Sequence, residues 1–170
     1  FKTLFSIFKY FQKCSISPNN KKFLIVGLGN IGEEYKNTRH NIGFDIVDQL
    51  GKILKGTFNS ANYGDILKSK YAGKQIILLK PNTFMNLSGK AVLYWLKKEK
   101  IHTNNLIVIV DDLNINFGVS RLKPSGSDGG HNGLKNITNS LNTSSFTRLR
   151  FGIGNNFKTV SYTHLRAHET

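Results

Sequence analysis

The chain has 170 residues, with 24 Lys and Arg against 10 Asp and Glu and a formal net charge of +14. That length suits one domain able to bury roughly two-thirds of its unfolded surface without disulfides or metal, and a field of that sign favours a polyanionic partner, nucleic acid before other anionic surfaces. Its single cysteine, Cys14, excludes an intrachain disulfide framework and a cysteine-cluster metal site; it fits a reducing compartment and reads as an inert small hydrophobe.

Residues 1–22 hold five lysines and no acid, which leaves +9 on the remaining chain. Within 1–13, Phe1, Leu4, Phe5, Phe8 and Phe11 recur at helical spacing and predict a basic amphipathic helix. Its expected role is a solvated extension packing weakly on its own domain, the alternative being weak association with a membrane or the ribosome. No run of about 18 apolar residues is available to cross a bilayer, and no small-residue cleavage site follows, so secretion is not expected. SISPNN, at 15–20, is linker material, and the domain is expected over 21–156.

Phe23 to Val26, with Leu28, is a continuous apolar run that predicts a strand buried on both faces. Gly27 and Gly29 stop it. Asn30, Tyr35, Thr38, Arg39, His40 and Asn41 follow, where an α/β sheet keeps its site, outside the carboxyl ends of its strands. Asn41 to Leu50 predicts a helix closed by Gly51. Gly64 to Tyr71 and Lys74 to Leu79, joined by Ala72-Gly73, predict an antiparallel hairpin ended by Pro81. Ser88 to Lys100 is an amphipathic helix. Leu106 to Val110 is a second buried strand that runs into Asp111-Asp112. Residues 124–133, PSGSDGGHNG, form a Gly-rich loop before a short helix, and Arg148 to Ile153 is a last strand. The tail over 157–170 shows no helix or strand periodicity and is expected to be disordered or foreign to the domain.

Gly27-Leu28-Gly29-Asn30-Ile31-Gly32 matches the dinucleotide fingerprint G-x-G-x-x-G. Glu33 and Glu34, however, place carboxylates where a pyrophosphate would sit, so a tight glycine turn is the stronger reading. His40 becomes a candidate base if Asp111 lies beside it and fixes its tautomer; otherwise the two form a buried structural hydrogen bond. Asp111-Asp112 as ligands of a two-metal site would need a further carboxylate or histidine cluster, which the sequence does not offer. Asn30, Asn86 and Asn132 supply neutral amides suited to an ester carbonyl or a peptide backbone, while each also suits a turn or cap, Asn132 an N-cap. Arg121, Lys123, Arg148 and Arg150 flank the Gly-rich loop and, given the net charge, suggest a phosphate clamp.

Five blocks in order, VGLGNIGEEYKNTRHNIGF, KPNTFMNLSGKAV, VDDLNINFG, RLKPSGSDGGHNGL and FTRLRFGIG, make the chain resemble bacterial-type peptidyl-tRNA hydrolase over about residues 22–155. The resemblance implies a monomeric single-domain α/β protein, a three-layer α/β/α sandwich around a twisted mixed β-sheet. It implies cleavage of the ester joining a peptide to the 3′ end of tRNA, with no metal and no cofactor, in the cytoplasm. By the same resemblance His40 is the catalytic base, Asp111 its supporting carboxylate, and Asn30 the residue that tells a blocked peptide from a free amino acid. Tyr35, Phe84, Met85, Asn86 and Asn132 match positions contacting the tRNA end or peptide. Lys123 and Arg150 match positions that grip a tRNA phosphate, with Arg121 as a weaker neighbour. Ile31 stands where the family usually has proline, and Asn114 where an acid is frequent. VSYTHLRAHET resembles neither the basic loop nor the C-terminal helix with which family members usually continue. The alternative function is a catalytically impaired tRNA- or RNA-binding protein of the same fold; a nicotinamide oxidoreductase ranks third.

Overall fold

The computed structural model describes residues 2–13 and 21–155. The expectations for Cys14, the linker at 15–20 and the tail at 157–170 lie outside the described residues.

The apolar run at Phe23 becomes β1 (Lys22–Gly27), buried on both faces from Phe23 onward. It lies in a seven-stranded sheet with β2 (Asn59–Ala61), β3 (Gly64–Tyr71), β4 (Lys74–Pro81), β5 (Leu106–Asp112), β6 (Ser120–Lys123) and β7 (Thr147–Gly152). The order is β2-β3-β4-β1-β5-β7-β6. The four central strands are parallel, and the pairings β2–β3, β3–β4 and β6–β7 toward the two edges are antiparallel. The sheet is therefore mixed. Burial explains the arrangement: the near-unbroken apolar strands β1, β4 and β5 need cover on both faces, whereas β6, alternating Ser, Arg, Leu and Lys, suits an edge.

Helices supply that cover. α3 (Ser88–Glu99) and α4 (Asn132–Leu141) press Ala91, Val92, Trp95, Leu134 and Ile137 against one face, onto Leu24, Val26, Val108 and Val110. α2 (Ile42–Ile53) covers the other face with Ile46, Val47 and Leu50, over Ile25, Leu78, Ile107 and Ile109. The result is the three-layer α/β/α sandwich. Each fully buried Leu or Ile adds on the order of 1.5–3 kcal/mol of apolar transfer free energy, so these two layers carry most of the driving force.

Beside α2, on the same face, lies α1 (Lys2–Lys13). Its packing corrects the expectation of a weakly attached extension. Ile7 and Phe11 are 0% and 1% exposed, and Phe11 meets Phe23 edge to face at 5.1 Å between ring centres. The Lys74 ammonium, itself buried, donates to the Phe11 carbonyl. The buried stripe is Thr3, Ile7 and Phe11 rather than one centred on the phenylalanines, and Phe5 points to solvent.

The hairpin forms with Ala72 and Gly73 both at positive φ, 50° and 75°, as a two-residue turn matched to strand twist requires. Gly51 does not close α2 as expected; it lies within the helix, where a Cβ would come 2.9 Å from the Phe58 ring.

Candidate active site

Strands β1 and β5 are adjacent and parallel, with Gly27 in register with Ile109, so their carboxyl ends open at the same edge. Two glycines let α2 start directly above that edge. A Cβ on Gly27 would lie 2.2 Å from the Gly43 carbonyl oxygen, and one on Gly43 would lie 2.2 Å from the Leu28 carbonyl oxygen. No side chain fits at either contact. The close approach brings the 3₁₀ turn Arg39–Asn41, just before α2, down onto the end of β5.

His40 is 2% exposed there, and its Nδ1 bonds to Asp111 Oδ2. The second carboxylate oxygen, Oδ1, lies 3.0 Å from His131 Nε2. His131 Nδ1 accepts from the amides of Gly133 and Leu134, at 3.2 and 3.4 Å. Those two donors decide the tautomer of His131: with Nδ1 accepting, Nε2 carries the proton and donates to Asp111. Burial alone would push the Asp111 carboxyl up, but hydrogen bonds from His131 and His40 outweigh it and hold the group well below the ordinary carboxylate range. Asp111 is thus a fixed negative charge. Its bond to Nδ1 of His40 orients the ring so that Nε2 is the atom able to take a proton.

Asn30 follows at the end of β1 and is 8% exposed. Asn41 holds it through the main chain: Oδ1 accepts from the Asn30 amide at 2.7 Å, and Nδ2 donates to the Asn30 carbonyl at 3.0 Å. Met85 is buried, while Phe84 is 67% exposed and Asn86 is exposed beside it. The amino end of α4 packs against this turn, since a Cβ on Gly133 would lie 2.7 Å from both Leu28 Cδ1 and Met85 Sδ. Asn132, exposed at the first position of α4, therefore shares a rim with Met85 and the end of β1. Tyr35 sits half-buried in the 3₁₀ turn Glu33–Tyr35, its carbonyl accepting from Thr38 Oγ1 at 2.7 Å.

The late cations divide. Pairing of β6 with β7 sets Arg121 opposite Arg150 and Lys123 opposite Arg148, so all four rise from one face of the ribbon. Arg121 and Lys123 are exposed. Arg150 is half-buried, with Nη1 3.4 Å from Asp112 Oδ2 and Nη2 donating to the Ser127 carbonyl at 2.8 Å. Arg148 does not join a phosphate clamp. It is 0% exposed, donates to the carbonyls of Ser127, Ser144 and Phe146, and stacks on the Phe146 ring at 4.3 Å.

Two further differences concern α4. Its N-cap is His131 rather than Asn132. Sequence reasoning also passed over His131 as a site residue, because the usual cap residues are Ser, Thr, Asp and Asn. The signal present was a histidine beside an asparagine in a Gly-rich loop. Among the described residues no group of three or more His, Cys, Asp or Glu side chains is arranged to hold a metal ion.

Comparison with known proteins shows the family. The family model described as peptidyl-tRNA hydrolase matches residues 24–167. The peptidyl-tRNA hydrolase of Parabacteroides distasonis is 58% identical over 136 residues, which is 80% of this chain and 73% of that protein. That of Porphyromonas gingivalis is 53% identical over 136 residues, 80% of this chain and 74% of its own. A crystal structure of peptidyl-tRNA hydrolase from Acinetobacter baumannii superposes with a TM-score of 0.78 at 38% identity, covering 88% of this chain and 75% of that one.

Proposed function

Because the chain belongs to the peptidyl-tRNA hydrolase family and hydrolyses peptidyl-tRNA, we propose that His40 is the general base of the reaction and Asp111 the carboxylate that orients it. The observation that carries this reading is the buried pairing of His40 Nδ1 with a carboxylate held ionised. His40 Nε2 takes a proton from water as the water oxygen attacks the ester carbonyl carbon. The tetrahedral intermediate then collapses, the bond to the ribose oxygen breaks, and the imidazolium returns the proton to that oxygen. The products are a peptide carboxylate and free tRNA. An ester is already reactive, so an oriented water and an oxyanion partner suffice, and a side-chain nucleophile is not needed.

The amides of Asn86 and Asn132 hold the ester and its developing oxyanion, and Asn30 reads the blocked nitrogen of the peptide. Exposed Phe84 and half-buried Tyr35 offer ring faces to the unpaired 3′ end of the tRNA, while Met85 lines the floor. Lys123 and Arg121 are the exposed cations for a tRNA phosphate, with Arg150 behind them. The enzyme acts as a monomer in the cytoplasm, where its substrate is made. Release of N-acetylated aminoacyl groups from tRNA is the direct test: wild type releases them and His40→Ala does not. Wild-type turnover in His40→Ala, or an acyl group trapped on a side chain, overturns the mechanism.

A further inference from the structure

On the flank of Asn30 lies a cavity of about 500 Å³ whose character runs against the rest of the molecule. Its wall carries four carboxylates, from Glu33, Asp45, Asp48 and Asp65, and two ammonium groups, from Lys36 and Lys80, so it is net negative in a chain of charge +14. Lys80 pairs with Asp48 at 2.7 Å and Lys36 with Glu33 at 3.4 Å. Asp45 and Asp65 have no cation in ion-pair range among the described residues, and Asp65 meets only the Ser60 hydroxyl, at 3.3 Å. These two carboxylates are the wall's excess charge.

A second observation points to a ligand. Asn30 is 92% buried, lines the cavity, and its side-chain amide makes no hydrogen bond to any described residue, all its protein bonds being through the main chain to Asn41. Asn41, next to His40, lines the same cavity. The Asn30 amide meets the cavity with donor and acceptor both open, and a peptide group is the partner whose acceptor and donor match it.

We propose that this cavity receives the peptide residue preceding the esterified one and that Asp45 and Asp65 select a cationic side chain there. The proposal rests on the reading of Asn30 as the residue that meets the peptide. An acidic cavity also repels tRNA phosphates, which keeps nucleic acid on the basic ribbon of β6 and β7 and peptide beside Asn30. Consistent with a site that favours an incoming cation, the Asp45 carboxyl is pushed up by burial and by neighbouring Asp48, against the lowering effect of Lys80.

The test compares kcat/KM for N-acetylated dipeptidyl-tRNAs that share a C-terminal alanine and carry Lys, Gln or Glu before it. The expected order is Lys over Gln over Glu, about three- to tenfold from end to end, as partly solvated pairs give, and the spread shrinks with added salt. In the Asp45→Asn, Asp65→Asn double variant, verified as folded by thermal melting, the Lys to Glu ratio falls to about one. A flat series in the wild type, or an unchanged ratio in the double variant, overturns the proposal. Free-amino Gly-Ala-tRNA cleaved faster than its acetylated form, with no advantage for Lys, assigns the cavity to the peptide's amino terminus and overturns the side-chain selection. Asn30→Ala separates the two levels: a flat series in a wild type whose preference for N-acetylated over free aminoacyl-tRNA depends on Asn30 removes only the cavity, whereas a preference unchanged in Asn30→Ala removes the underlying reading as well.

Discussion

Asn41 holds the backbone of Asn30 at both polar atoms, accepting from its amide at 2.7 Å and donating to its carbonyl at 3.0 Å. One carboxamide thereby satisfies two main-chain groups at a strand end where the sheet ladder has stopped. Eleven residues apart in sequence, the two asparagines are tied together, and the turn carrying His40 is anchored to the end of β1 by the same bonds.

Asn41→Leu should therefore affect both stability and selectivity. Two buried main-chain groups lose their partners at roughly 1–3 kcal/mol each, and a melting temperature lower by several degrees is expected. With Asn30 loosened, discrimination between N-acetylated and free aminoacyl-tRNA narrows while the pH–rate limbs stay in place. An unchanged melting temperature would sink the clamp.

His131 caps α4 through Nδ1 and donates to Asp111 through Nε2, so two variants separate its two roles. His131→Ala loses both, with about 1 kcal/mol from the cap. His131→Asn restores a good cap residue but not the bond to Asp111. Its melting temperature should regain the share lost with the cap, lying above that of His131→Ala, while hydrolysis stays reduced. Full recovery of rate in His131→Asn would mean that the bond to Asp111 is immaterial.

His40→Ala should lose roughly 10²–10⁴-fold in hydrolysis, the usual worth of a positioned general base, with tRNA affinity little changed. Asp111→Asn lowers the rate and moves the acidic limb of the pH–rate profile to lower pH, because the carboxylate that favours imidazolium is gone. Folding stability has its own pH signature. The Asp111 carboxyl is held below its unfolded range, so its contribution is complete above about pH 4, the unfolded carboxylate value, and is lost as pH falls further through the folded value. Denaturant titrations of wild type and Asp111→Asn should show a stability gap at neutral pH, and the share of it that belongs to the carboxylate disappears only as the pH falls below about 4.

The cations should divide by burial. Lys123→Ala and Arg121→Ala, both exposed, should weaken tRNA binding and shallow its salt dependence by about 0.9 in the log–log slope for each phosphate contact removed. Arg148→Ala should instead destabilise the fold, since three carbonyls and the Phe146 ring lose their partner. Electrophoretic mobility shifts across a salt series and thermal melts distinguish the two classes. Arg148→Ala with native stability and a shallower slope would reverse the assignment.

The central strands could be read directly, because runs such as Phe23 to Val26 and Leu106 to Val110 are too apolar for anything but a position covered on both faces. The hairpin was equally legible, since Ala72-Gly73 between two such arms leaves few conformations open. The polar residues that follow those strands likewise mark Asn30, His40 and Asp111 as site candidates, because a parallel sheet gathers its carboxyl ends at one edge.

What the sequence alone left undecided depends on groups distant in the chain. A basic helix of phenylalanines reads the same whether its face meets solvent, membrane or sheet, and only the fold shows Ile7 and Phe11 against Phe23. Arg148 and Lys123 are alike in formal charge, yet the Gly-rich loop folds over one and leaves the other in water. His131 carries no local mark of its task, because a histidine's role is set by what faces each ring nitrogen. Here those partners are two amides one turn ahead and a carboxylate at the end of β5, brought together by tertiary packing.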